Sequence, residues 1–192
     1  MSGGGFHVHG PHDHELEHAA QHEPKGLAGQ LAVITAVLAT VGAMFAYMGG
    51  ATQANAGLYK NNAAIKKTEA ANRWNYFQAK SSKQNLAELA LDLAPSEEQK
   101  AKYRDKIARY EKEKNEIKAE AEKLEAESAD WDIQSDAQLH QHHRWAQATT
   151  ALQISIALAA ITLLTRKRWL EGATLAVGGI GVALGVLAWF HV

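Results

Sequence analysis

Residues 27–48 read LAGQLAVITAVLATVGAMFAYM, without one charged side chain. At about 1.5 Å per residue a helix of this length crosses a hydrocarbon layer of roughly 30 Å. Two later stretches repeat the pattern, Ala146–Thr165 and Trp169–Phe190, the second with its one acid, Glu171, close to an end. Three apolar segments of this kind predict three transmembrane helices, at 27–48, 146–165 and 169–190, with the lipid bilayer as the first partner.

Between the first and second segments the composition reverses. From Lys60 to Arg144 the chain carries 16 Lys and Arg against 16 Asp and Glu, so the segment is highly charged and neutral overall. A nucleic-acid-binding face would show a basic surplus, and no nucleic-acid partner is expected. The chain has no cysteine, which excludes disulfides, thiolate nucleophiles and sulfur metal sites. Ala54-Asn55-Ala56 before Gly57 resembles a signal-peptide cleavage site. The stretch preceding the first apolar segment is acidic, however, and that segment outruns the 7–15 residues of a typical signal core, so an uncleaved anchor is expected.

The punctuation of residues 49–145 predicts a helical hairpin. Gly49-Gly50 is read as a kink or joint after the first span. No proline follows until Pro95, where Ser96-Glu97-Glu98-Gln99 forms a capping-box pattern that restarts a helix after a turn near 94–96. Two long helices joined by so short a link fold back antiparallel. On the returning helix Tyr103, Ile107, Tyr110, Lys114, Ile117, Ala121, Leu124, Ser128 and Trp131 alternate four and three apart, the spacing of a coiled-coil seam. The expected matching line on the outgoing helix is Ile65, Glu69, Asn72, Tyr76, Ala79, Lys83, Leu86, Ala90 and Leu93. Polar residues interrupt both lines. Two readings follow: an imperfect hairpin whose polar residues fix register, or two marginal seams that several copies share in a homo-oligomer.

The fold class is therefore all-α, three transmembrane helices with a long antiparallel coiled-coil hairpin between the first and second. Trp145, Trp169 and Trp189, with Tyr47, stand at the ends of the spans as interfacial anchors. Gly178, Gly181 and Gly185 mark a packing face on the third span, since small residues let helices approach closely. The loop Arg166-Lys167-Arg168 is the short basic connection that the positive-inside rule places in the cytoplasm. The N-terminal tail is then cytoplasmic too, and the hairpin lies on the opposite side.

Residues 1–26 form a His-rich tail, expected to be disordered at least to Gly10. His7, His9, His12, His14, His18 and His22 are candidate metal ligands, and His14, His18 and His22 share a face if helical. Equally, the tail is solvated or binds a partner. A second cluster, His140, His142 and His143 beside Arg144, reads either as a titrating site or as a polar collar at the membrane surface. The spans hold no internal Asp, Glu, Lys, Arg or His of the kind that proton-coupled pumps and voltage sensors need. No phosphate loop, nucleophile elbow or HExxH motif occurs, so neither an enzyme nor a cofactor is expected.

The segment Glu69-Ala70-Ala71-Asn72-Arg73-Trp74-Asn75-Tyr76-Phe77-Gln78-Ala79-Lys80-Ser81-Ser82-Lys83 resembles bacterial membrane proteins grouped as domain of unknown function 4337. The likeness continues through Ile107-Ala108-Arg109-Tyr110-Glu111-Lys112-Glu113-Lys114 and the paired last spans. It implies a bacterial inner-membrane protein of this architecture, with no established activity, substrate or cofactor. Within that segment Trp74, Tyr76, Phe77 and Lys80 form the candidate interaction surface, packing either on the returning helix near Leu124–Trp131 or on another subunit or protein partner. The functional expectation is a homo-oligomeric scaffold or adaptor projecting a coiled-coil arm. The alternatives are an oligomeric channel or transport component, and a metal-handling accessory protein acting through the tail.

Overall fold

The computed structural model describes residues 26–190. Three helices, α1 (Leu27–Leu93), α2 (Glu97–Thr165) and α3 (Arg168–Trp189), make up nearly all of it, with no strand among the described residues. Each is, over part of its length, long and apolar enough to cross a membrane. The candidate tail ligands His7, His9, His12, His14, His18 and His22 lie outside the described residues.

Local chemistry sets the breaks. α1 ends just before Pro95, which cannot donate a helical hydrogen bond. Ser96 then caps α2, its Oγ accepting the Gln99 amide at 3.3 Å, while Glu97 and Glu98 place negative charge at the helix N-terminus. α2 ends where Arg166 takes a left-handed conformation (φ 54°), and its N–H donates to the Thr162 carbonyl at 2.8 Å. At Gly49-Gly50, expected as a kink or joint, α1 stays helical through both residues. Gly49 serves a different purpose: a Cβ there would sit 3.3 Å from Trp145 Cβ, so its smallness lets α2 approach.

The described residues divide into two compact units, the second spanning Ala54–Leu139 and the first taking the rest. In the first unit all three helices meet pairwise. Leu152 packs at Gly42 of α1 and Gly181 of α3, Leu38 lies at Gly178, and the Phe45 ring fills the space beside Gly185. Ser155 Oγ donates to the Thr174 carbonyl at 2.6 Å, and Gln141 donates to the Ala188 carbonyl. Trp145, Ala148, Leu152, Ser155, Thr162 and Thr174 are fully covered.

In the second unit α1 and α2 pair with partners running in opposite order. Ala56 meets Ser135, Ala63 meets Ser128, and Gln84 meets Lys114. On α2 the covered or half-covered line is Tyr103, Ile107, Tyr110, Lys114, Ile117, Ala121, Leu124, Ser128 and Trp131, as the spacing predicts. On α1 it differs from the expected line. The covered positions are Ala56, Ala63, Ala70 and Ala87, whereas Ile65, Tyr76, Leu86 and Leu93 stand 45–73% exposed.

Candidate functional site

The line Ala56, Ala63, Ala70 steps by seven residues, so these alanines stack on one face of α1. Ala63 and Ala70 are each 2% exposed and Ala121 opposite them is 0% exposed, which leaves no room for larger side chains. Their smallness brings α2 close enough for hydroxyls to reach the α1 backbone. Ser135 Oγ donates to the Ala56 carbonyl and Ser128 Oγ to the Ala63 carbonyl, each at 2.9 Å.

A ladder of ion pairs flanks this seam at the same step. Lys66 Nζ pairs with Glu127 at 3.1 Å, Arg73 Nε with Glu120 at 3.1 Å, and Lys80 Nζ with Glu113 at 2.5 Å. Lys60 adds a pair with Asp132 at 2.8 Å. The hydrogen bond that Lys80 donates to Glu113 raises the Lys80 ammonium above its ordinary range and in return lowers the Glu113 carboxyl. Lys60 and Lys66 are raised in the same way, chiefly by hydrogen bonds to Asp132 and Glu127. Surface and half-buried pairs such as these stabilise little individually; spaced at seven residues, they favour one register of one helix on the other.

The four aromatic-segment residues separate between two faces. Trp74 Nε1 donates to Glu125 Oε1 at 2.8 Å, and its ring meets Phe77 edge-on at 5.6 Å. Lys114 Nζ lies 5.4 Å from the Phe77 ring centre, and Lys80 lies 5.6 Å from that of Tyr110. Trp74, Phe77 and Lys80 are thus engaged with α2 inside the second unit. Tyr76 is turned outward, 45% exposed, with Lys80 Nζ 5.2 Å from its ring centre.

In the first unit Gly178, Gly181 and Gly185 of α3 are all buried against α1 and α2. Of the residues expected as anchors, Tyr47, Trp169 and Trp189 are 62–75% exposed. Trp145 differs from that expectation: it is 1% exposed, between Phe45 (ring centres 5.3 Å apart) and Trp189 (6.5 Å). An open apolar groove of about 660 Å³, lined by residues including Met44, Phe45, Tyr47 and Trp189, lies beside it. His142 Nδ1 donates to the Gly49 carbonyl at 2.8 Å, which gives this His a packing role, and its ring lies 5.6 Å from that of His143. Among the described residues no group of three or more His, Asp or Glu is placed to hold a metal ion.

Bulk misled the reading of α1. Alanines at 56, 63 and 70 add little hydropathy, so Ile65, Leu86 and Leu93 dominate the pattern although they lie on another face. The signal that finds the true seam is the seven-residue recurrence of small residues Gly42, Gly49, Ala56, Ala63 and Ala70.

The family model described as Domain of unknown function (DUF4337) matches residues 27–191. No curated protein and no solved structure matches the chain.

Proposed function

The chain belongs to the DUF4337 family, and from that premise we propose that it is an integral membrane protein acting as a homo-oligomeric scaffold, with an antiparallel coiled-coil hairpin held outside the bilayer. The apolar parts of α1, α2 and α3 support three crossings. The charged second unit, with its ladder of ion pairs, belongs in water. The exposed basic loop Arg166-Lys167-Arg168 favours a cytoplasmic position, which puts the N-terminal tail on the same side and the hairpin across the membrane from it. In a bacterial cell this is the inner membrane with a periplasmic hairpin.

One observation carries the scaffold reading: the polar groups that flank the seam of the second unit bond across it at a seven-residue step. Ser128 and Ser135 fasten α2 to the α1 backbone, and Lys66, Arg73 and Lys80 are paired across the seam. Such a unit presents a fixed surface to other subunits or to a partner protein. In the first unit the hydroxyls of Thr40, Thr149, Thr150, Thr162 and Thr174 donate to carbonyls of their own helices, which favours packing over a water-lined path.

Native mass spectrometry of the particle released from membranes in mild detergent or native lipid tests the proposal. A closed assembly of two or more copies is expected. A single chain with no bound protein overturns it.

A further inference from the structure

α1 carries a second line of apolar residues that its own α2 does not cover. In the second unit Leu58, Ile65, Leu86 and Leu93 are 48–73% exposed. Each falls two residues after a position on the line 56, 63, 70, 77, 84, 91, which is about 200° around the helix and so opposite the seam. Leu89, 56% exposed, falls on the companion position of the same face. Isolated exposed apolar residues are ordinary, but a seven-residue recurrence on one face is the mark of helix pairing. In the first unit Val37 and Met44, 56% and 64% exposed, fall at the same place in the seven-residue count.

Charge distribution separates this face from a solvated one. Residues 54–93 carry nine charged side chains, at 60, 66, 67, 69, 73, 80, 83, 88 and 92. None occupies the line that runs by fours and threes through Ala54, Leu58, Asn61, Ile65, Thr68 and Asn72 to Leu93. A face left to water in so charged a segment gains by carrying some of them; a face covered by another helix must exclude them.

We infer that this face seats α1 of a second copy of the chain, parallel and in register; the inference rests on the homo-oligomeric membrane reading above. Copies embedded in one membrane share a direction, so their α1 helices run parallel. Self-pairing in that sense sets Leu58, Ile65, Leu86 and Leu93 each against its own equivalent and brings no like charges together on the line. On the flanks Glu69 of one copy meets Ala64 of the other and Lys83 meets Gln78, so no like-charge pair opposes there either. Asn61, Asn72 and Asn75 on the same line supply amide layers of the kind that fix one register between paired strands. Lipid covers Val37 and Met44 in the apolar part of α1, so the choice of partner rests on the second unit, where a second α1 satisfies the line with no like charges opposed.

The chain has no cysteine, so single thiols report the interface directly. Ile65→Cys and Leu86→Cys, introduced separately into the full chain, are oxidised in native membranes and run under non-reducing conditions. Ile133→Cys, at a position 68% exposed on α2, is the comparison. The expected result is a disulfide-linked dimer as the major band for both α1 variants and at least tenfold less for the α2 variant. Joint expression of the two α1 variants is expected to give no 65-to-86 disulfide, since a bond needs Cα atoms within about 7 Å. A dominant 65-to-86 bond, meaning antiparallel pairing, overturns the inference. So does an assembly of several copies in which only Ile133→Cys cross-links, although that outcome leaves the scaffold reading standing. A one-chain mass in native lipid overturns both.

Discussion

Ser135 Oγ donates to the backbone carbonyl of Ala56 at 2.9 Å, and seven residues back along α2 Ser128 repeats the bond on Ala63. A hydroxyl reaches a helical carbonyl on a neighbouring helix only where that helix presents a small side chain. The alanine line and the two serines are therefore one device. Ser128→Ala and Ser135→Ala each remove one buried hydrogen bond while the carbonyl keeps its own helical partner. Each is expected to lower stability by about 1 kcal/mol, read from the thermal loss of helical circular dichroism in detergent. Ala63→Leu forces a large side chain into a position that is 2% exposed and is expected to cost more, about 1–3 kcal/mol. An Ala63→Leu protein at least as stable as the parent would show that the helices do not pack on this line.

The ion pairs predict a stability plateau bounded on both sides. Glu113 is lowered from its ordinary 4.5 by the hydrogen bond from Lys80, Glu111 by hydrogen bonds from Gln84 and Lys114, and Glu97 by that from Lys100. Carboxyls lowered in the folded state contribute stability that is fully present above 4.5 and lost as pH falls through their folded values. Lys60, Lys66 and Lys80 are raised above 10.5, so their contribution is present below 10.5 and lost as pH rises through the folded values. The melting temperature of the helical signal is expected to stay flat between about 5 and 10 and to decline on either side. Glu113→Gln is expected to weaken the acid-side decline, and about 1 M salt to reduce both declines, least for the half-buried Lys80–Glu113 pair.

Much of this was legible in the sequence, for reasons that differ by element. The apolar segments and the proline-marked turn declare themselves by composition, and α2 by the bulk of Ile107, Ile117, Leu124 and Trp131 on its seam. α1 is a helix with two faces, and hydropathy favours the wrong one. Its covered face is built from Ala56, Ala63 and Ala70, whose contribution is closeness and not apolar area. Gly49 in sequence suggests a kink or joint because glycine loosens an isolated helix; in the fold it admits Trp145 and offers its carbonyl to His142. The burial of Trp145 has no sequence signal, since a tryptophan at the end of an apolar segment has the same pattern whether it faces lipid or a neighbouring helix.

The glycines of α3 give an internally controlled test. A Cβ at Gly181 would lie 3.0 Å from the Leu152 backbone nitrogen and 2.8 Å from its side chain, so relief requires moving α2 itself. A Cβ at Gly179 meets nothing within 4 Å. Gly181→Ala is expected to destabilise by about 1–3 kcal/mol, seen as earlier thermal aggregation in detergent, and Gly179→Ala to be neutral or slightly stabilising. Equal effects at the two positions would mean that α3 does not pack through this face.

Membrane orientation rests on the loop between α2 and α3, and it can be read with one thiol at a time. The link between Thr165 and Arg168 is two residues long, and Arg166, Lys167 and Arg168 are all exposed. Short basic loops resist transfer across the membrane, whereas a long polar segment such as residues 54–139 crosses largely regardless of its charge. Asn115→Cys is exposed on α2 and Lys167→Cys leaves two of the three loop charges in place. In intact cells with a permeable outer layer, a membrane-impermeant maleimide is expected to label Asn115→Cys readily and Lys167→Cys only after lysis. The reverse pattern would invert the topology while keeping the spans. Labelling of both from outside would be more damaging, because a single crossing by the apolar part of α2 must put the two positions on opposite sides.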